Sequence, residues 1–413
     1  MFPCNMELTV ESIEGTSYQN FLDYIRSEKT LKNYLLYLNQ FLAVIPDDLF
    51  VKNIGKKPST ISEDKINQFV ILARSNTDLT KQIIKAYVRE LKTKVEKKEV
   101  SASNIKNRLK PIKALFAANE IDFAWKLINK SLPKVGKTPD RAYTREEIKL
   151  MLDNAGDIVD RIIILLFSSA GFRVEAWDYL TWNDVKFFYT EDKEHKGLAI
   201  RIYAGDAEEY WTHGTPEAQS ALLLYREKWN TRFGRYPEPS DPLIVATKVL
   251  CPKRLRMGGV RTRIVRLLRS VGIRLPLEDG KIRHDVPADH GFRKYFNTMM
   301  RRAKVNYLDK EDMMGHDNGL ESSYERYTEE DFERFPEYQK AIPFLTIDDS
   351  ERHKLEVVTL QNEKDILKLK VHENKELEIQ LKEERRARLQ FEQEIKQTLA
   401  KLREEKLTNW NSN

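Results

Sequence analysis

Apolar positions recur at helical spacing through the first third of the chain. Leu31, Tyr34, Leu35, Leu38, Phe41, Leu42 and Ile45 fall on one stripe, and further helices are predicted from about Glu63 to Arg74 and from Lys81 to Glu96. In SNIKNRLKPIKALFAANEI, Leu109, Ile112, Leu115 and Phe116 gather on one side, and Lys106, Arg108, Lys110 and Lys113 on the other. Such a helix packs its apolar stripe inward and offers cations outward. No strong alternation of period two interrupts this stretch. After an N-terminal extension (1–15), residues 16–130 therefore read as a small all-helical domain. SLPKVGKTPDRAY (131–143), with two prolines, a glycine and three basic residues, reads as a linker. Thr144 then opens a capping-box signature with Glu147.

A second domain is predicted over 144–347. It starts with helices, including the buried-looking IIILLF segment, and continues with strands at VKFFY (185–189), AIRIY (199–203) and EYWTH (209–213). Thr215-Pro216 places a cap residue before a proline at the first helical position, and a helix should follow through about Trp229. Helices dominate again from 259. The expected fold class is mainly α with a small antiparallel β-sheet. From about 348 to 413 the pattern changes. Residues 351–407 lack Gly and Pro and are dense in Glu, Lys, Arg, Leu and Gln. Leu360, Leu367, Asn374, Leu381, Arg388, Ile395 and Leu402 fall at seven-residue steps, with Val371, Leu377, Phe391 and Leu399 beside them irregularly. This predicts a long helix. It is either a coiled coil whose seam is broken at Asn374 and Arg388, or a solvated single helix.

Composition adds a partner class. The 413 residues carry a formal net charge of +6, and the tail is near neutral, so the basic excess belongs to the rest of the chain. Lys253 to Arg274 holds eight Lys/Arg residues and no acid, and residues 81–113 are also rich in bases. Clustered cations suit phosphate backbones, although a solvated surface explains a single run equally well. Cys4 and Cys251 have neither metal nor disulfide spacing, which fits a reducing compartment. No secretory leader is evident at the N-terminus. The strongest apolar run, Ile162 to Phe167, is far short of the ~20 residues that span a bilayer. A soluble cytoplasmic protein with no membrane partner is expected.

The chemistry gathers late in the chain. His290 and Arg293, three apart in DHGFRKYFNTMMRRA, share one face of a predicted helix, with Phe292, Tyr295, Phe296 and Met299 or Met300 on the other. Lys310–Met314 reads as a short helix that Gly315 ends in the left-handed conformation, with His316 at its exit. Tyr324 follows eight positions later. Upstream, Arg173 sits in AGFRVEAWDYLTW. Two guanidiniums, two imidazoles and a phenol are the groups needed to attack a phosphodiester without a metal. Guanidiniums grip phosphate oxygens as a fork, and histidine moves protons near neutrality. No phosphate-binding GxxxxGK[ST] loop and no carboxylate cluster with metal spacing is evident, so no cofactor is expected.

In this order the motifs resemble the tyrosine recombinase (phage integrase) family, and SSYERYTEEDFERFPEYQKAIPFLTI followed by a charged helix is most similar to the archaeal integrase type. The resemblance implies a helical core-binding domain and a catalytic domain clamped around double-stranded DNA. Arg173, His290, Arg293 and His316 would surround the scissile phosphate and Tyr324 would be the nucleophile, forming a 3′-phosphotyrosine without ATP. It further implies integration or excision of a viral or mobile element by a tetramer on DNA. A type IB topoisomerase-like relaxing enzyme shares the residue set, and a DNA-binding assembly protein with lapsed catalysis is a third reading. Tyr327 rivals Tyr324: the family spacing from the histidine is nine, against eight and eleven here. Comparison with SYYRPTE favours Tyr324. Two departures stand out. The family's lysine in the hairpin between the second and third strands is missing from AGDAEEY, where Ala207 is the nearest equivalent, leaving Lys193 or Lys196 as substitutes. The acidic residue usual three positions after the first arginine is Ala176, with Glu175 and Asp178 nearby.

Overall fold

A computed structural model describes residues 15–58, 62–134, 140–247, 249–277, 283–316 and 334–410. The chain divides into two compact units. One comprises Met1–Asp140 with Leu275–Asp285, and the other Arg141–Arg274 with Val286–Asn413.

Among its described residues, the regular elements of the first unit are all helices. Its helices are α1 (Ser17–Tyr24), α2 (Glu28–Ala43), α3 (Asp47–Ile54), α4 (Ser62–Ser75), α5 (Thr77–Glu96), α6 (Ala102–Ala118) and α7 (Trp125–Lys130). The predicted stripe of α2 reaches the core through Leu38, Phe41 and Leu42, with Ile45 just beyond the helix. Phe41 meets Phe69 and Tyr87 edge-on at centroid distances of 5.2 and 5.0 Å. On α6, Leu109, Ile112, Leu115 and Phe116 are buried as the pattern requires. Pro111 lies inside that helix and removes one backbone donor, a feature the side-chain pattern does not show. Arg108, expected among the outward cations, folds back onto Asn104, Gln40 and the Tyr37 ring.

The second unit surrounds α9 (Ile158–Ala170), which is apolar through Ile162–Phe167 and buried along nearly its whole length. The capping box at Thr144 and Glu147 opens α8 (Arg145–Asp153) as expected. The strands β1 (Val185–Tyr189), β2 (His195–Ile202) and β3 (Tyr210–Gly214) form an antiparallel sheet in the order β1-β2-β3. β2 starts four residues earlier than the alternation suggests, because His195 and Gly197 pair with Tyr189 and Phe188. It stops one residue earlier, because Tyr203 turns to a positive φ of 55°. Thr215 precedes α10 (Pro216–Phe233) as its cap residue, yet its buried hydroxyl makes no cap hydrogen bond.

Next come α11 (Met257–Ser270), α12 (His290–Arg302), α13 (Tyr307–Met313), α14 (Arg334–Gln339) and α15 (Ile342–Leu345). Phe292 of α12 stacks on Phe167 of α9 at 5.8 Å, which fixes α12 against the core. The tail is one helix, α16 (Asp349–Trp410), and its described side chains beyond the first turns are exposed. Its start is tied down: Glu217 accepts the backbone N–H groups of Ile347 and Asp348, and Lys149 pairs with Asp349. The molecule is thus mainly helical with one small antiparallel sheet. No helix among the described residues is long and apolar enough to cross a membrane.

Candidate active site

Two glycines bring the arginines together. Gly171 ends α9 with φ +62°, and a Cβ there would lie 2.3 Å from the Phe296 ring. The chain therefore turns sharply, and Arg173 follows at the start of a 3₁₀ turn (Val174–Asp178). Gly315 ends α13 in the same left-handed way, with φ +61°. The N–H of His316 reaches the Glu311 carbonyl at 3.0 Å and that of Gly315 reaches Asp312 at 2.8 Å, the paired bonds of a Schellman motif. A Cβ on Gly315 would fall 2.3 Å from the Tyr210 ring.

Carbonyls released by these turns hold the guanidiniums. Arg293 sits one turn into α12 and is buried. Its Nη1 donates to Gly171 O at 2.8 Å and its Nη2 donates to Met314 O. Nη2 also donates to His316 Nε2 at 2.8 Å. Arg173 donates through both Nη atoms to Gly315 O at 3.3 Å. Carbonyl partners fix geometry without cancelling charge. Burial, with Arg173 close by, pulls the Arg293 pKa below its usual value. Two cations meeting in a half-buried place create a strong local demand for an anion.

His316 lies between Arg293 and a carboxylate. Its Nδ1 stands 2.5 Å from Glu311 Oε2. Glu311 also receives the buried Lys310 ammonium at 2.5 Å, and Lys310 donates to Asn297 Oδ1 at 2.9 Å. Burial alone would raise the Glu311 pKa, but the bonds from Lys310 and His316 outweigh it and hold the group below the ordinary carboxylate range.

Of the residues singled out in the sequence, Arg173, Arg293 and His316 come together. His290 is exposed at the first turn of α12, and among the described residues no hydrogen bond or ion pair joins it to those three. Tyr324 and Tyr327 lie outside the described residues. Both flanks of 317–333 are nonetheless tied to α13: His316 through Glu311, and Arg334 through Asp312 at 2.5 Å and Asp309 at 3.5 Å.

Neither suggested lysine stands at the hairpin end of the sheet. Lys196 lies over the Phe335 ring near the start of β2. It lies six positions before Ile202, which is ~20 Å along a strand. Lys193 is in the turn before β2. The hairpin end instead presents Tyr203 and Tyr210. The Tyr210 hydroxyl is buried without a hydrogen-bond partner among the described residues, and burial raises its pKa against the opposing pull of Arg293 and Arg173. Asp178, an alternative acid near Ala176, is occupied in accepting the Met257 N–H at the start of α11.

The basic run at 253–274 is partly structural. Arg263 pairs with Asp157 and Asp160, Arg261 with Asp289, and Arg254 and Arg274 donate to backbone carbonyls. Sequence patterning missed Glu311, Lys310 and Tyr210. The first two were hidden because adjacent unlike charges read as a solvated helix face.

No family model and no curated protein matches the chain. Among solved structures, it is similar to a lambda integrase dimer bound to a COC′ core site, at 15% identity over 76% of this chain and 94% of that one, with a TM-score of 0.47. It is similar to XerA recombinase at 18% identity, over 83% and 97% of the two chains, with a TM-score of 0.33. It is also similar to the Tn1549 transposon integrase in complex with transposon right end DNA, at 17% identity over 60% and 82%, with a TM-score of 0.39. At these scores the reading of the site rests on its own geometry.

Proposed function

We propose that the protein is a tyrosine-type site-specific DNA recombinase that inserts or excises a viral or mobile element. The observation that carries this reading is the convergence of Arg173 and Arg293 on Gly315 and Met314, each held by carbonyls and one touching an imidazole. Two guanidiniums so placed neutralise the charge that develops on a phosphodiester during in-line attack. Tyr324 supplies the nucleophilic oxygen and passes its proton to His316. A bond forms from that oxygen to phosphorus, the bond to the 5′ oxygen breaks, and that oxygen takes a proton from water. His290 lies within a helical turn of Arg293 and binds a non-bridging oxygen.

The exposed cations of α6 contact DNA phosphates, so binding weakens steeply with added salt. α16, with its exposed leucines, promotes self-association toward a tetramer on DNA. The test is a nicked duplex that traps the covalent intermediate, incubated with the protein in EDTA and without ATP. An SDS-resistant adduct is expected. The hairpin without a lysine favours one other reading, a DNA-binding protein that has lost strand transfer, and absence of any adduct would establish that reading instead.

A further inference from the structure

We propose that Glu311 is a positioning residue: it locks His316 in the Nδ1-protonated tautomer, so that Nε2 is presented as a proton acceptor, with Arg293 covering that nitrogen until a phosphate draws the arginine away. The consequence for cleavage rests on the recombinase reading above; the lock itself does not.

Three contacts define the lock. Arg293 is a donor only, so the 2.8 Å contact requires a lone pair on Nε2. Nδ1 must then carry the proton, and it points at Glu311 Oε2 at 2.5 Å. An ionised carboxylate only accepts, so Glu311 cannot support the other tautomer. What keeps it ionised in a half-buried place is Lys310, an ammonium that is itself 4% exposed and fixed by Asn297 Oδ1. A buried lysine is rare unless paired, and here its pairing has a direct effect on the residue beside it. The Schellman turn at Gly315 explains why a residue five positions on meets Glu311, because it folds the chain back over the last turn of α13.

The charged and titratable groups facing His316 are Glu311 and Lys310 of α13, Arg293 of α12, Arg173 on the Gly315 carbonyl, and Tyr210 of β3 under Gly315. Arg293 and Arg173, held by neutral acceptors, have a better partner in a phosphate. Arrival of the phosphate therefore frees Nε2 at the moment a base is required. The same arrangement keeps the free protein from presenting an uncovered base.

The test uses the full chain carrying ¹⁵N-labelled histidine, with the His316 signals assigned by His316→Gln. Two-bond ¹H–¹⁵N spectra at pH 8 distinguish the tautomers. A single Nδ1–H form is expected in the unaltered protein, and mixed tautomers in Glu311→Gln and in Lys310→Met. Adduct yield should fall at least tenfold in Glu311→Gln, within the ~10⁴-fold that a wrong histidine tautomer costs a serine protease. An Nε2–H form in the unaltered protein overturns the proposal, whatever happens to DNA. So does an unchanged tautomer and adduct yield in Glu311→Gln. The Nδ1–H form in a protein that makes no adduct upholds the lock and removes the recombinase reading.

Discussion

Gly315 stands where the bonds of the site meet. Its φ of +61° and the Tyr210 ring beneath it leave no room for a Cβ, and its carbonyl holds Arg173. Gly315→Ala should therefore cost about 2–4 kcal/mol, combining a left-handed alanine with an overpacked contact. A urea titration would show the midpoint falling, and an unchanged midpoint would mean that the turn relaxes freely. Arg173 offers the complementary case. It is less buried than Arg293, and Arg173→Lys keeps the charge but loses the fork. Adduct formation should drop by about 10²–10³-fold with the urea midpoint nearly unmoved; an equal drop in both would make Arg173 a structural residue. At this scale the sequence marked Arg293 by its helical spacing from His290, His316 by the glycine exit before it, and Arg173 by its AGFRVEAWDYLTW context and the family resemblance. It hid Glu311 because its significance depends on a turn that folds His316 back five positions, a relation no periodicity records.

The sheet carries the clearest pH dependence. His213 on β3 is buried against Phe188, Phe335 and Tyr338, and burial lowers its pKa to about 3. The unfolded chain, with an ordinary histidine near ~6.5, binds the proton more readily over that whole interval. Stability therefore rises with pH from about 3 to ~6.5 and is fully present above it, with a slope approaching ~1.4 kcal/mol per unit from this group. His213→Phe should flatten that part of the profile in denaturant titrations between pH 4 and 7; a profile as steep as before would place the acid sensitivity elsewhere. Elements were legible where side chains follow a period, as in α2 and α6, or form an apolar run, as in α9 and β1. They were less so where backbone pairing decides. His195 and Gly197 join β2 through their partners on β1, and Tyr203 ends it by adopting a positive φ, and neither event leaves a hydrophobic trace. The same mismatch explains the lysines. Placing Lys196 inside β2 rather than before it moves it to the wrong end of the sheet.

At the scale of the whole molecule, two helices of the second unit use charge differently. In and around α11, Arg254, Arg261, Arg263 and Arg274 meet aspartates or carbonyls, so the densest basic run is partly structural, while Lys253, Arg256, Arg266 and Arg269 are exposed. On α16 the charges pair along the helix itself, as in Lys354–Glu351, Lys368–Asp365 and Arg352–Glu356, while Leu360, Leu367 and Val371 stay exposed. Such pairs support a single long helix at a few tenths of a kcal/mol each, and the exposed leucines favour association with further copies. Removing 351–413 should reduce the oligomer seen by light scattering while leaving the anchoring bonds at Glu217 and Lys149 in place; an unchanged mass would make the tail a solvated spacer. The central claim is that Arg173, Arg293 and His316 serve a covalent attack on DNA. Its most direct test is peptide mapping of the protein after reaction with a nicked trapping duplex, comparing the unaltered chain with Tyr324→Phe and Tyr327→Phe. The account predicts a nucleotide-bearing peptide linked through Tyr324, lost in Tyr324→Phe and retained in Tyr327→Phe. No adduct at any tyrosine, with DNA still bound, would contradict it.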